Sequence, residues 1–374
     1  MYPTRFPRNA WYVAARSKEL SGERILSRWI LGDPVALYRT ESGAATALVD
    51  RCIHRQMPLS LGHRTGDNIE CGYHGLTFAP DGRCVRIPGR DVVPERLRVQ
   101  SFPLYEEFGL VWIWMGRPED ADVALVPDHH WFRSPGWATA EGTLHLNGRA
   151  QLLNENLLDL SHLSFLHADS IGSPEVAETP VRTTFEDTAV RVSRWMSDVT
   201  CPPFFQKVMG IEGQIDRGQI AEFFAPSFHI SQTHIKPAGD EDDARLCRQM
   251  VMHCVTPETR TTTHYFWGVA RNFAVDDPSV TDYAVDAVTR VFTQDVEAVE
   301  AIEHIIAAWE PSYPEELNIS VDGGPLQSRR IIERMIAAEE NSRTGRDLTT
   351  PPDEAVQRAA AASRDRTRRE ELSR

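Results

Sequence analysis

The chain has 374 residues, enough for two domains of ordinary size, with 41% hydrophobic and 25% charged residues, the balance of a globular protein. Its formal net charge of −14 argues against nucleic acid as a partner. The opening Met1-Tyr-Pro-Thr-Arg-Phe-Pro7 lacks the apolar core of a signal peptide, and no apolar run of about eighteen residues follows, so neither a leader nor a membrane span is expected. The six cysteines show no disulfide-framework spacing, which points to a reducing, cytoplasmic setting.

In chain order, Val35-Ala-Leu-Tyr38 and Ala45-Thr-Ala-Leu-Val49 read as short strands. They lead into Cys52-Ile-His54 and, after sixteen residues, Cys71-Gly-Tyr-His74. Each short loop supplies one cysteine and one histidine. That division suits a two-iron cluster in which thiolates hold one iron and imidazoles the other. Two neutral imidazoles in place of thiolates make such a cluster less negative, with a potential roughly between −150 and +300 mV. Zinc is the rival for a Cys/His set, but its sites usually group two cysteines in one knuckle and two histidines in the other. Both ligand pairs sit in loops punctuated by Gly and Pro, and Asp81-Gly82 between apolar runs predicts a hairpin. Leu110-Val-Trp-Ile-Trp114 predicts a further strand, so residues 1–125 read as a small all-β module carrying the cluster at its loop tips. Cys84 reads as a small buried hydrophobe.

Leu152, Leu153, Leu157, Leu160 and Leu163 have helical spacing and predict a helix over 151–164. Asn156, Asp159 and His162 lie at i, i+3 and i+6 on it, and His167 follows five residues after His162. Five residues of regular helix turn through about 500°, so the helix must end or bulge if both histidines are to reach one metal. Single histidines near a helix end are commonly ordinary. Two of them beside an Asp and an Asn in an apolar segment need a ligand or a network to satisfy them. Two imidazoles and one carboxylate would make the facial triad of non-haem iron(II) oxygenases.

Ala221-Glu-Phe-Phe-Ala-Pro226, Phe228-His-Ile-Ser-Gln-Thr-His-Ile235 and Gln249-Met-Val-Met-His-Cys-Val255 predict buried strands, with region 205–270 expected to roof the metal as a curved sheet. His253 and His264 are candidates to hydrogen-bond a substrate, although a satisfied core histidine is the commoner role. Lys236 and Arg248 could pair with a substrate carboxylate or stay solvated. Gly239-Asp-Glu-Asp-Asp243 reads as an acidic surface loop without function. The stretch 282–306 predicts a long helix with an apolar stripe of Ala284, Val288, Val291, Val299, Ile302 and Ile306. Asp295 falls in the gap of that stripe. A buried carboxylate needs a partner, so Asp295 is the candidate third ligand, with an ion pair as the alternative. Glu297, Glu300 and Glu303 are expected on the solvated side. From Thr344 the chain turns polar, and 344–374 is expected to be disordered or loosely helical.

On Asn9-Ala-Trp-Tyr-Val-Ala14, the Cys52–His74 motif, Asn156-Leu-Leu-Asp-Leu-Ser-His162 with His167, and Thr256-Pro-Glu-Thr259 with Thr263-His-Tyr-Phe-Trp267, the sequence resembles the terminal oxygenase component of Rieske non-haem iron oxygenases over about residues 1–340. It is most similar to the vanillate and dicamba O-demethylase group. The resemblance implies an α+β protein: an all-β Rieske [2Fe–2S] domain over 1–125, then a catalytic domain over 126–343 with a curved antiparallel sheet and helices carrying the mononuclear iron. It implies Cys52, His54, Cys71 and His74 as cluster ligands and His162, His167 and Asp295 as ligands of a mononuclear Fe(II). It further implies head-to-tail homotrimers in which Asp159 bridges one subunit's His162 and the neighbour's cluster histidine, at the position of His74, with Asn156 near the iron. The implied reaction is dioxygen-dependent O-demethylation or hydroxylation of a small methoxylated or carboxylated aromatic. NAD(P)H electrons would arrive through a separate flavin/iron–sulfur reductase. A phthalate-dioxygenase-like ring dihydroxylation, an electron-transfer Rieske protein and a structural zinc protein stay open as alternatives.

Overall fold

A computed structural model describes residues 2–342 apart from 4, 21, 23, 212, 243, 244 and 313; the expected tail 344–374 lies outside the described residues. The chain forms two compact units.

One unit is built mainly from Arg8–Val126, with Thr256–Arg260. Its strands in chain order are β1 (Trp11–Arg16), β2 (Leu26–Ile30), β3 (Asp33–Arg39), β4 (Ala45–Val49), β5 (His63–Thr65), β6 (Asn68–Glu70), β7 (Thr77–Phe78), β8 (Cys84–Arg86), β9 (Leu104–Glu107) and β10 (Leu110–Trp114). They make three small sheets ordered β1-β10-β9, β2-β3-β4 and β5-β6-β7-β8. The strands expected near 35, 45 and 110 are β3, β4 and β10. All five residues of β10 are buried, so its sequence shows no polar alternation. The Asp81-Gly82 turn joins β7 to β8 as expected, with Gly82 at φ +83° and no room for a side chain against the Val99 carbonyl. Ala36, Leu48, Leu59, Ile69 and Phe78 form one core, and the Cys52, Cys71 and Cys84 side chains belong to it. The thiols of the two Cys/His loops are thus rooted in packed apolar side chains.

The other unit comprises Met1–Pro7, Pro127–Val255 and Thr261–Glu340. Its strands β11 (Ala138–Leu146), β12 (Arg182–Phe185), β13 (Ala189–Thr200), β14 (Gln214–Phe224), β15 (Phe228–Pro237), β16 (Cys247–Thr259) and β17 (Thr262–Arg271) form one seven-stranded antiparallel sheet ordered β11-β17-β16-β15-β14-β13-β12. The helices are α1 (Ala150–Leu158), α2 (Leu163–Leu166), α3 (Pro174–Glu178), α4 (Pro203–Met209), α5 (Pro278–Trp309) and α6 (Gly323–Ser342). Leu153 of α1, Val255 and Tyr265 of the sheet, and Phe292, Val296 and Val299 of α5 share one core. The α+β class and antiparallel sheet agree with expectation. Among the described residues no helix is long and apolar enough to cross a membrane.

Two details depart from expectation. The helix predicted to 164 stops at Leu158, because Asp159 turns to extended backbone and its Oδ1 accepts the Ser161 N–H at 2.7 Å. On α5 the buried stripe passes through Glu303, which is 4% exposed, and leaves Ile302 48% exposed. Steps of four and three from Val299 reach Glu303 and Ile306, so the seam falls on an acid. Arg149 makes this possible, donating from Nε at 2.6 Å and Nη2 at 2.8 Å to the Glu303 carboxylate. Glu300 likewise accepts from the Asn147 backbone at 2.7 Å, while Glu297 is exposed as expected.

Candidate active site

In the β-rich unit the two ligand loops have one backbone plan. Cys52 N–H donates to the carbonyl of Met57 and Cys71 N–H to that of Leu76, both at 2.8 Å. The N–H of Gln56 returns to the Cys52 carbonyl at 3.1 Å, and that of Gly75 to the Cys71 carbonyl at 3.0 Å. Gln56 and Gly75 occupy matching left-handed positions, at φ +61° and +69°. The histidine sits one place later in the second loop, and the two imidazoles meet, Nδ1 to Nδ1, at 3.1 Å. Two nitrogens each about 2 Å from one metal would have a separation of this order. Burial pushes the Cys52 thiol up to about 11, against its backbone hydrogen bonds, and the neighbouring Cys71 thiol adds to the rise. Among the described residues these four form no group of three or more with ligand atoms inside 4.8 Å. Thiol with thiol and imidazole with imidazole is the donor set of a two-iron cluster rather than of a single zinc ion.

Buried Asp50 secures the first loop, accepting from Ser27 Oγ at 2.7 Å, Ser60 N–H at 2.7 Å and Ser60 Oγ at 2.6 Å. Gly62 lets the loops close: a Cβ there would lie 2.1 Å from the Glu70 carbonyl oxygen.

In the second unit the helix end that two histidines five apart require falls at His167 itself. His162, in α-helical conformation, is the N-cap of the short α2, and His167 is its C-cap, where the helix stops. Asp295 arrives from the buried face of α5. Its Oδ1 lies 3.0 Å from His167 Nε2 and 3.4 Å from His162 Nε2, and the three residues' ligand atoms fall within 4.8 Å of one another. His167 Nδ1 donates to Gln294 Oε1 at 2.9 Å, which makes Nε2 the ring nitrogen turned toward Asp295 and available to a metal. Asn156 Nδ2 donates to the same Asp295 Oδ1 at 3.2 Å. Burial would raise the Asp295 carboxyl, but hydrogen bonds from His162 and His167 outweigh it and hold the group at about 2. Burial works against the charged His162 imidazole, yet the hydrogen bond and charge of Asp295 raise it on balance. Two imidazole nitrogens and a carboxylate oxygen that converge in this way are a donor set that fits a metal cation. Asp159 is half-buried, and both its charge and its backbone favour the charged His162 imidazole.

A cavity of about 350 Å³ opens beside this cluster, lined by His162, His167 and Asp295 and walled by residues such as Phe204, Phe205 and Val251. His253 lines it too, with both ring nitrogens engaged, Nδ1 to Tyr265 Oη at 2.7 Å and Nε2 to Ser231 Oγ at 3.2 Å. His264 does not reach it. Strand alternation turns His264 to the face opposite Tyr265, where its ring stands edge-on to His145 at 5.8 Å. Lys236 and Arg248 also lie off the cavity, out of phase with inward-facing Ile235 and Gln249. Sequence reasoning missed Gln294, Gln249, Arg217 and Gln219 on the cavity wall. The available signal was phase: Ile215, Arg217, Gln219, Ala221 and Phe223 alternate together on β14.

Both halves match known families. Residues 10–103 match the Rieske [2Fe-2S] domain, and residues 146–338 the vanillate O-demethylase oxygenase C-terminal domain. The vanillate O-demethylase oxygenase subunit of Pseudomonas sp. (strain HR199 / DSM 7063) is 35% identical over 90% of this chain and 97% of its own length. The iron-sulfur subunit of the toluene-4-sulfonate monooxygenase system of Comamonas testosteroni is 36% identical over 89% of this chain and 98% of its own. A crystal structure of dicamba monooxygenase bound to 3,6-dichlorosalicylic acid superposes with a TM-score of 0.83 at 32% identity, covering 90% of this chain and 99% of that one. A Rieske domain joined to a catalytic sheet and helices defines a Rieske-type oxygenase. The chain belongs to the family whose catalytic half is the vanillate O-demethylase oxygenase C-terminal domain, the oxygenase components of multicomponent systems.

Proposed function

We propose that the protein is the terminal oxygenase of a Rieske non-haem iron monooxygenase that carries out dioxygen-dependent O-demethylation or hydroxylation of a small, methoxylated or carboxylated aromatic. The convergence of His162, His167 and Asp295 beside a largely apolar cavity carries this reading. In it, Cys52 and Cys71 hold one iron of a [2Fe–2S] cluster, His54 and His74 the other, and His162, His167 and Asp295 hold a mononuclear Fe(II). When bound, the cluster supplies single electrons and the mononuclear iron activates dioxygen. The protein's own part is placement. Gln294 sets the His167 tautomer, Asn156 fixes the Asp295 carboxylate, and the apolar wall excludes water and orients the ring. For an aryl methyl ether the net change takes one dioxygen, two electrons and two protons to a phenol, formaldehyde and water, the electrons coming from NAD(P)H through a separate reductase.

Within the same proposal, residues 1–125 form the electron-accepting domain and 126–343 the catalytic one. The exposed His74 and half-buried Asp159 support a homotrimer in which Asp159 bridges His162 and the partner subunit's His74. Six unpaired cysteines support a cytoplasmic location.

Metal analysis tests this directly. The expected content is three irons per chain, against two for a pure electron carrier. Asp295→Ala should lose one iron and leave the visible spectrum of the cluster intact; retention of all three would overturn the assignment. Oxygen uptake and formaldehyde release across a panel of methoxybenzoates, with a reductase, then separate demethylation from ring hydroxylation or dihydroxylation.

A further inference from the structure

The strand register sets a polar row across the cavity-facing side of the sheet. Arg194 pairs with Gln219, Gln219 with Thr233, and Thr233 with Gln249, so four strands contribute one polar residue each at one level. Arg217 lies two residues before Gln219 on the same face of β14. The Arg217 side chain is 1% exposed and lines the cavity, yet its Nε and Nη1 are buried without a hydrogen-bond partner. Its guanidinium stands over the Phe205 ring, 5.2 Å from the centroid. The Cys201 thiol and Glu175 act on it through space and Arg194 opposes them, but among the described residues no carboxylate comes within ion-pair distance of it. Burial pulls the Arg217 guanidinium down to about 10, which leaves it charged at neutral pH. The carboxamide oxygens of Gln219 and Gln249 are likewise buried and unpartnered.

A buried cation with no hydrogen-bonded counter-ion is costly to fold around. One that lines a ligand cavity has that cost relieved when a ligand brings the missing acceptor. We propose that Arg217, assisted by Gln219 and Gln249, is the subsite that recognises an anionic substituent, a carboxylate or sulfonate, on the aromatic substrate. The planar guanidinium offers paired N–H donors that match a carboxylate or two sulfonate oxygens. Either carboxamide can turn its NH2 toward the same anion without changing shape. Phe205 backs the guanidinium through its ring face. His253, held on both sides by Tyr265 and Ser231, is left as a neutral wall rather than the anion's partner.

This inference rests on the oxygenase reading above but is tested by binding alone. The holoenzyme and its R217Q, R217K and R217M variants would be titrated calorimetrically with 3-methoxybenzoate, 4-methylbenzenesulfonate and the neutral isostere 3-methoxybenzamide. The wild type should prefer the benzoate over the benzamide by about 30-fold or more. R217Q and R217M should bring that ratio within about threefold while binding the amide as before, and R217K should keep part of it. In the ligand-free state R217M should unfold at an equal or higher temperature than wild type, which an arginine needed for folding would not allow. An unchanged ratio in R217Q, equal loss of all three ligands, or a wild type that binds amide as tightly as benzoate would each overturn the subsite. Anion preference without oxygen uptake or product would uphold the subsite and overturn the oxygenase reading instead.

Discussion

Glu303 shows how one side chain can reverse a reading made from periodicity. Its carboxylate and the Arg149 guanidinium are each 5% exposed, and the Arg149 N–H adds a third bond at 3.1 Å, so the pair is a buried, hydrogen-bonded unit that ties the start of α1 to α5. Breaking such a pair leaves a buried charge alone, which is why the truncation costs more than the pair contributes. Glu303→Ala is expected to destabilise the protein by about 3 kcal/mol, the lower end of the range, because Arg149 retains Glu310 at 2.9 Å. Urea unfolding checks it, and a loss below about 1 kcal/mol would reduce the pair to an ordinary surface contact. A combined Arg149→Met, Glu303→Leu variant should recover most of the loss, since two apolar side chains bury no uncompensated charge.

At the scale of elements, the cluster loops depend on backbone more than on side chains. The two loops repeat one hydrogen-bond plan, and their close approach needs Gly62, whose missing Cβ makes room for the Glu70 carbonyl. Gly62→Ala should cost about 1–3 kcal/mol and speed loss of the cluster's visible absorbance, with little effect on iron bound at His162, His167 and Asp295. Equal loss from both metal sites would contradict a local role. Asp159→Asn is the matching test in the catalytic unit. It should keep both metals and lower turnover, and unchanged turnover would rule out the bridging role proposed for that carboxylate.

Across the whole molecule, two buried histidines lower the stability in acid. Burial drives His253 down to about 3, with Asp295 on α5 pulling the other way, and lowers His229 well below its usual value, with His253 adding to the effect. Below about pH 6.5 the unfolded chain protonates both while the folded chain does not, so unfolding takes up protons and stability falls as the pH drops toward about 3. The slope can reach about 1.4 kcal/mol per pH unit for each histidine. His253→Gln should flatten the urea midpoint between pH 6.5 and 4, and an unchanged pH profile would remove His253 as its cause. The cluster motif was legible in the sequence because all four candidate ligands fall within one short, local stretch. Asp295 was legible from helical phase, and the strands from apolar runs. The end of α1, the burial of Glu303 and the inward turn of Arg217 were not. The burial of Glu303 and the inward turn of Arg217 depend on partners distant in sequence, Arg149 and a register running across four strands, while the end of α1 depends on a local Asx turn at Asp159 that apolar periodicity does not register. His264 looked as plausible as His253 until the pairing of β17 showed which alternate residues face inward.

The break after α1 also gives the site a timescale. Between Leu158 and Leu163 the backbone lacks a regular helical ladder, so the segment bearing His162 and His167 is held by the Asp159 turn, the single turn of α2 and the Ser170 and Gly172 N–H groups that donate to the His167 carbonyl. Such a stretch opens more readily than the flanking helix, and a metal drawing its two histidines to Asp295 fastens it to α5. Amide hydrogen exchange should therefore slow on iron loading chiefly across 159–172, making the ligand segment a hinge that the metal itself locks.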